Sequence, residues 1–455
     1  MNLLFISNGT LTPVYSVVAK HLESLGHNIF WIVSEDIWRR ALSNNFCPES
    51  ILRIDRTLDC DLSYFPKVSI PLNEIIFIDR ELRSWDSERS SSYIRNLHHK
   101  IKKFLLDNEI DFAFSENTWA HEIVISMMCD IDDEINCRHL SAHNLRIPDN
   151  RFAFFSNFLL YETASRDQPY EEIQASCLQK SSDIKLQDNV IVKRRNSKRY
   201  LFDKLISFLF HANHDVDSPT WWGTSRLDSF RRAFMQILNA FTYKFVDKVG
   251  EEEILALAEE SDLYIYAFHK EPETAINNKG RYNESQATCI LNIWRKLPLG
   301  TVLLIKEHRV SIGDRGYFYF QKLLRLGSIR VIDESVGSAF LMEKCAVCFT
   351  VSGTMAYEFA INQKPAFTFS RVFFNALQYC SNLSTVDLTK GDDMNSIIKR
   401  LIFDKPGLTN EEYVAFLSRN SFSGKIGDTN NLPETIDEPN IGLLCSAFEK
   451  VLVSR

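Results

Sequence analysis

Short apolar runs that end in polar turns set the pattern of the chain. Residues 3–6 are apolar, and Asn8-Gly9-Thr10 breaks the run. From Pro13, the positions Val17, Val18, Leu22 and Leu25 recur at helical spacing until Gly26, and residues 28–33 are again strand-like. Strand, turn, helix and strand within about 35 residues make a βαβ unit. The G-x-G-x-x-G fingerprint of dinucleotide binding is absent. The pattern then recurs. Ile94, Leu97, Ile101 and Phe104 share one helical stripe, residues 111–115 read as a strand, 119–128 as a helix and 138–142 as a further strand.

A second alternating run begins near Glu251. Residues 263–268, 301–306, 328–332, 346–351 and 366–369 read as strands, with helices over 285–297 and 353–361. Strands alternating with helices predict an α/β fold with mostly parallel sheets. The stretch between the two runs differs. A basic run, Lys193, Arg194, Arg195, Lys198 and Arg199, precedes the apolar positions Leu201, Phe202, Leu205, Ile206, Phe208 and Leu209. The expected plan is an N-terminal α/β domain over 1–165, a helical insertion or interdomain segment over 166–255, a second α/β domain over 256–385 and C-terminal helices over 386–455.

A chain of 455 residues is long enough for about two or three domains and a large core. The formal net charge of −7 argues against a dedicated nucleic-acid binder. It leaves room for an anionic ligand held by a local group of Lys, Arg and backbone N–H groups. The cysteines show no metal-type spacing, and Ala346-Val347-Cys348-Phe349 is typical of their apolar surroundings. They read as buried thiols of a reducing compartment. The N-terminal residues turn polar too early for a signal peptide, and no apolar run approaches the ~18 residues of a membrane span. A cytoplasmic protein is expected.

In open α/β sheets, ligands bind beyond the carboxyl ends of the strands. Four polar clusters fall there. Ser352-Gly353-Thr354 lies where an apolar strand enters a helix, a natural phosphate site, with Glu358 one turn on to accept from ribose hydroxyls. A plain helix cap is the simpler account. Lys306-Glu307-His308-Arg309 concentrates donors for phosphate or carboxylate, or is a solvated loop. His269 and Glu271 follow another strand and suit acid–base work or sugar binding, or cap a helix. Glu116, with Trp119 and Glu122, ends a first-domain strand. There Glu116 is a candidate base or nucleophile and Trp119 a stacking platform, or the group is a cap over a core tryptophan. Asp130-Ile131-Asp132 matches a metal-binding D-x-D pattern but reads as a charged loop, and no metal site is expected.

The order of these clusters resembles the bacterial capsule polysaccharide biosynthesis family. The resemblance rests on His269 with Pro272-Glu273, Gln286, Lys306-Glu307-His308, Ser352-Gly353-Thr354 with Glu358, and Lys364-Pro365. It is good over about residues 260–375. Over 70–155 it is weaker, resting on Asp79-Arg80, Glu116, Trp119, Glu122 and Arg146-Ile147-Pro148. Arg309 stands where the family pattern has proline, and Phe359 and Gln363 where it has alanine and glycine.

The resemblance implies a GT-B architecture, two Rossmann-like domains facing a cleft, and similarity to 3-deoxy-octulosonate and sialic-acid-type transferases. It implies transfer of a sugar, a 3-deoxy-ulosonic acid among the candidates, from a nucleotide-activated donor to a capsule or O-antigen acceptor. Such an acceptor is a glycan or a lipid-linked glycan. Catalytic residues would be Glu116, His269 and Glu271. Lys306, His308, Arg309, Ser352, Gly353, Thr354 and Glu358 would hold the nucleotide sugar, and Asp79, Trp119 and Glu122 the acceptor. The donor, a cytidine monophosphate sugar in the related transferases, is a substrate, and no cofactor or metal is expected. Alternatives are polyol-phosphate transfer from a cytidine diphosphate carrier, a non-catalytic glycan-binding assembly factor, or a nucleotide-sugar epimerase. The basic and apolar stretch at 193–209 suits peripheral contact with the inner face of the cytoplasmic membrane, or, more simply, a helix that packs its apolar side on the domains beside a solvated basic loop. The oligomeric state is not legible.

Overall fold

The computed structural model of the chain describes residues 1–56, 64–164, 171–173, 178, 215, 217–220, 225–271, 273–430 and 432–453. The stretch at 193–209 that suggested membrane contact lies outside the described residues. The chain divides into two compact units. One comprises Met1–Lys180, Asn213–Ser225 and Val414–Arg455, the other Ser181–Ala212 and Arg226–Tyr413.

The first unit is built on a seven-stranded sheet. Its strands are β1 (Asn2–Ile6), β2 (Asn28–Val33), β3 (Ile51–Arg53), β4 (Phe112–Ser115), β5 (Arg138–Asn144) and β6 (Arg151–Phe155), with a C-terminal strand at Phe422–Ser423. The order runs from the C-terminal strand through β6, β5, β4, β1 and β2 to β3. Strands β1 to β5 pair in parallel, whereas β6 lies antiparallel to β5 and to the C-terminal strand. Strand β1 is apolar throughout because both of its faces are covered. Leu3 and Phe5 enter one core and Leu4 and Ile6 the other. The helix Glu438–Val453 closes the first of these cores. There Phe448 lies with its ring centroid 4.9 Å from those of both Phe114 and Phe154.

The second unit carries another seven-stranded sheet. It contains β7 (Lys248–Val249), β8 (Asp262–Ala267), β9 (Thr301–Lys306), β10 (Ile329–Ile332), β11 (Val347–Thr350), β12 (Ala366–Thr368) and β13 (Cys380–Asn382). The order is β13-β12-β11-β8-β9-β10-β7, and every pair is parallel. Both units therefore carry a Rossmann-type strand order, the pair of α/β units expected from the sequence. The order reverses between β1 and β4 in the first unit and between β8 and β11 in the second. A crevice for ligand opens at such a reversal, beyond the carboxyl ends of the two strands.

Most cysteines are buried, as expected, but Cys47 is exposed. Contrary to the reading of the sequence, which finds no C-x-x-C pair, Cys345 and Cys348 stand at that spacing. Both are buried and both thiols are pushed up by burial, as befits core residues rather than reactive ones. No helix among the described residues is long and apolar enough to cross a membrane.

Removing the Phe448 ring leaves a cavity among four aromatic neighbours. Phe448→Ala should lower the unfolding free energy by about 3–5 kcal/mol. Leu443→Ala, on the exposed side of the same helix, should change it by less than about 1 kcal/mol. Urea unfolding followed by far-UV circular dichroism checks both.

Candidate functional site

At the reversal point of the first unit, β1 ends in Ser7-Asn8-Gly9-Thr10 and β4 in Ser115-Glu116-Asn117-Thr118. Glu122, in the first turn of the helix Ala120–Ile131, is fully buried and folds its carboxylate back over the second turn. It accepts from the backbone N–H of Glu116 at 3.1 Å, Thr118 at 2.6 Å and Trp119 at 3.0 Å. Asn117, at φ 58°, supplies the left-handed residue this turn needs, a conformation asparagine tolerates. Asp79 holds the helix start from outside. Its Oδ2 accepts from Ala120 N–H at 2.7 Å, while Oδ1 accepts from Glu81 N–H at 2.8 Å and Leu82 N–H at 3.0 Å.

These anchors leave the Glu116 side chain at the crevice. The Asn8 amide donates to its Oε2 at 3.0 Å and lies 3.3 Å from Glu122 Oε1. His143 Nε2 donates to the Glu116 carbonyl at 3.1 Å. Burial pushes the Glu116 carboxyl up to about 8. The Glu122 charge adds to the rise, Arg80 opposes it and Asp428 adds a smaller share. Asp428 comes from the C-terminal segment and accepts the Thr10 hydroxyl. Trp119 is buried, with the Arg80 guanidinium 5.5 Å from its ring centroid.

At the reversal point of the second unit, His269 follows β8 and Ser352-Gly353-Thr354 follows β11. His269 is buried, and its Nε2 accepts from Ser352 N–H at 3.0 Å beside the Thr350 hydroxyl at 3.0 Å. The ring proton therefore sits on Nδ1. Burial, then the charges of His308, Arg315 and Lys279, lower the imidazole to about 3, so it is neutral across the physiological range. Gly353 caps the helix Thr354–Ile361. A Cβ at Gly353 would lie 2.8 Å from Thr350 Oγ1 and 3.2 Å from His269 Nε2, so only glycine allows this approach. The glycine cap offers no side chain to the first-turn N–H groups. The Ser352 hydroxyl is drawn aside and donates to the Ala275 carbonyl at 3.1 Å.

Arg315 fixes the adjoining loops. It donates to Glu307 at 2.8 Å and 3.0 Å, to the His269 carbonyl at 2.8 Å and to Glu271 at 2.8 Å. Gln286 pairs with the backbone N–H and carbonyl of His269 and donates to Glu271. Glu271 is thereby held in a structural ion pair beside His269. Lys306, half-buried, donates to the Val336 carbonyl at 2.8 Å. Burial and the charge of Arg309 lower it to about 8. His308 is exposed at the end of β9, and Glu358 is partly exposed one turn after Thr354.

No protein-family model and no curated protein matches the chain. Among solved structures, it is similar to the beta Kdo 2,7 transferase KpsC of Thermosulfurimonas dismutans. The identity is 9%, covering 77% of this chain and 89% of that chain, with a TM-score of 0.34. It is also similar to the UDP-GlcNAc 2-epimerase of Methanocaldococcus jannaschii, at 14% identity over 92% of this chain and 99% of that chain, with a TM-score of 0.25. The calicheamicin glycosyltransferase CalG4 matches at 9% identity over 99% of this chain and 98% of that chain, with a TM-score of 0.28.

The structure thus gathers Glu116, Glu122, Asp79 and Trp119 in the first unit. In the second it gathers His269, Glu271, Ser352, Gly353 and Thr354, with Lys306, His308 and Arg309 at the neighbouring strand end. Sequence reasoning missed Asn8, Asp428, Lys279 and Arg315, and named Arg80 only within the family pattern. Asn8 sits in the turn after the first strand and was findable by position. Asp428 reaches the site from the far end of the chain, with no motif around it. Asp132, of the D-x-D pattern, is ion-paired with Lys102 at 2.8 Å. Among the described residues, no three His, Cys, Asp or Glu side chains group to hold a metal.

A raised carboxyl has a signature in stability. Glu116 binds its proton more tightly in the fold, at about 8, than at its ordinary value of 4.5. Its contribution is complete below about pH 4.5 and is lost as pH rises through about 8. Glu116→Gln should flatten the decline in stability across that window, as read by urea midpoints measured between pH 5 and pH 9.

Proposed function

We propose that the chain is a glycosyltransferase. It moves a sugar from a nucleotide-activated donor to a glycan or lipid-linked glycan acceptor of a bacterial surface polysaccharide. The observation that carries this reading is the chemistry of the two reversal points. One presents a carboxyl with a raised pKa, Glu116. The other presents a glycine-capped helix start beside buried His269, whose electrostatic neighbours are His308, Arg315 and Lys279, with Lys306 and Arg309 at the end of β9. The family resemblance, strongest over the second unit, points the same way.

On this reading, the second unit holds the nucleotide. The first-turn N–H groups after Gly353 and the Thr354 hydroxyl take the phosphate. Lys306, His308 and Arg309 add cationic donors that stabilise the leaving phosphate. Glu358 accepts from the ribose. Neutral His269 and ion-paired Glu271 position the Ser352-Gly353 turn. Glu116, once deprotonated, takes the proton of the acceptor hydroxyl. Asp79 and Glu122 hold the Glu116 turn, and Trp119, beneath Arg80, supports the acceptor side.

Glu116→Gln should lower kcat by about 10²–10⁴-fold with little change in donor affinity. The wild-type rate should rise with pH through about 8, where Glu116 loses its proton, and the variant should lack that limb. Nucleotide release from a panel of activated donors, with and without glycan acceptor, measures both. Normal turnover in the variant removes Glu116 from the chemistry. Release of a polyol phosphate from a cytidine diphosphate carrier, or donor conversion without acceptor, replaces the reaction class.

A further inference from the structure

The helix Arg226–Tyr243 in the second unit is turned inside out. Its Ala233 and Tyr243 are buried, and its inward face also presents Gln236, Asn239 and Ala240 to the segment around Gly313 and Gly316. Gln236 donates to Asp314 at 3.2 Å, and Tyr243 packs 5.2 Å from the Phe320 ring. A Cβ at Gly313 would come within 2.5 Å of the Gln236 carbonyl, so the helix lies directly on this backbone. The inward face is therefore fixed by Tyr243 at its end and otherwise by polar and small residues.

The outward face carries the bulk. Leu227, Phe230, Phe234, Ile237, Leu238 and Phe241 are all exposed, Leu227 by 76%, Phe234 by 55% and Phe241 by 58%. At about 100° per residue these positions fall within about 100° of arc, and from Leu227 to Phe241 they form a stripe about 21 Å long. Phe245, just past the helix, extends it and is 64% exposed. A surface helix ordinarily turns such a stripe to the core. A contiguous exposed apolar patch marks a contact site.

Charge selects the partner. Exposed Arg231 and Lys244 flank the stripe on its two sides, whereas exposed Asp228 lies further round the helix and exposed Asp247 beyond its end. An anionic lipid surface takes the aromatic and aliphatic side chains below its headgroups and pairs the flanking cations with phosphate. We propose that this helix is a membrane-contact element that seats the protein on anionic lipid.

Flotation of the full chain tests this, with vesicles of phosphatidylethanolamine and phosphatidylglycerol set against phosphatidylcholine vesicles. The wild type should float with the anionic vesicles at low salt. Phe234→Ser, Leu238→Ser and Phe241→Ser together should lower the partition coefficient about a hundredfold. Arg231→Glu with Lys244→Glu should lower it at least about tenfold and abolish its salt dependence. Because these side chains are exposed, the melting temperature and donor turnover on a soluble acceptor should not change. If the triple variant fails to fold, the charge-reversal pair decides. A wild type that stays unbound overturns the proposal. So does undiminished binding by both variants, which would place the contact elsewhere, for instance at 193–209. A wild-type dimer that the triple variant breaks, without flotation, shows instead that a second copy covers the stripe.

Discussion

Arg315 is the residue on which the second unit's site depends. Its guanidinium is buried between two carboxylates and the His269 carbonyl and lies 4.3 Å from the Phe268 ring centroid. Burying such a charge costs several kcal/mol, which the contact offsets only if its donors are matched. Glu307 takes two, and Glu271 and the His269 carbonyl take others. Burial still holds the Glu307 carboxyl above its ordinary value, while the same contact strengthens Arg315's hold on its proton. The network joins the end of β8 to the end of β9. It makes Glu307 the fixed middle of the Lys306-Glu307-His308 run, while Lys306 donates to the Val336 carbonyl.

The first unit solves the same problem with acids alone. A turn after a parallel strand has backbone N–H groups that no neighbouring strand receives. Glu122 and Asp79 together accept four such N–H groups around the start of one helix, and Asp79 accepts two more from Glu81 and Leu82. Satisfied in this way, both carboxylates can be buried in the wall of the crevice. Glu116, which accepts only from Asn8 among the bonds described, is left with spare acceptor capacity and a raised pKa. Equivalent positions in two similar sheets thus take opposite electrostatic character, acidic in one unit and basic in the other.

The long strands were legible because they are buried on both faces. Strands β1, β2, β4, β8, β9 and β11 are largely apolar runs. The edge strands β3, β7 and β13 were not legible. They are two or three residues long, too short to show a period. Strand β6 was overlooked although Phe152, Phe154 and Phe155 are all buried in it. The site clusters were found because they follow legible strands. Arg315 was not, because nothing in Gly313-Asp314-Arg315 announces a buried cation. Its role comes from partners far from it in sequence, His269 and Glu271. Helix Arg226–Tyr243 went unremarked because an apolar stripe at helical spacing reads as core. Only the structure shows that the stripe points outward.

His269 shows how far a residue's type can mislead about its work. A histidine after a strand, beside a carboxylate, suggests acid–base chemistry. Here Nε2 receives the Ser352 N–H, and a proton on that nitrogen would set two donors against each other. Burial and three neighbouring cationic side chains add to the penalty, so the ring stays neutral. On the proposed reading, a neutral acceptor suits a phosphate site at this position. It orients the Ser352-Gly353 turn without adding a charge whose protonation would vary with pH. On the proposed reading, the positive charge for a phosphate would come from side chains around this turn rather than from His269, with Lys279 and Arg309 partly exposed and His308 exposed. A cation held in the floor of the site would have to be desolvated before any ligand arrived, whereas one at the rim loses its water only as the phosphate replaces it.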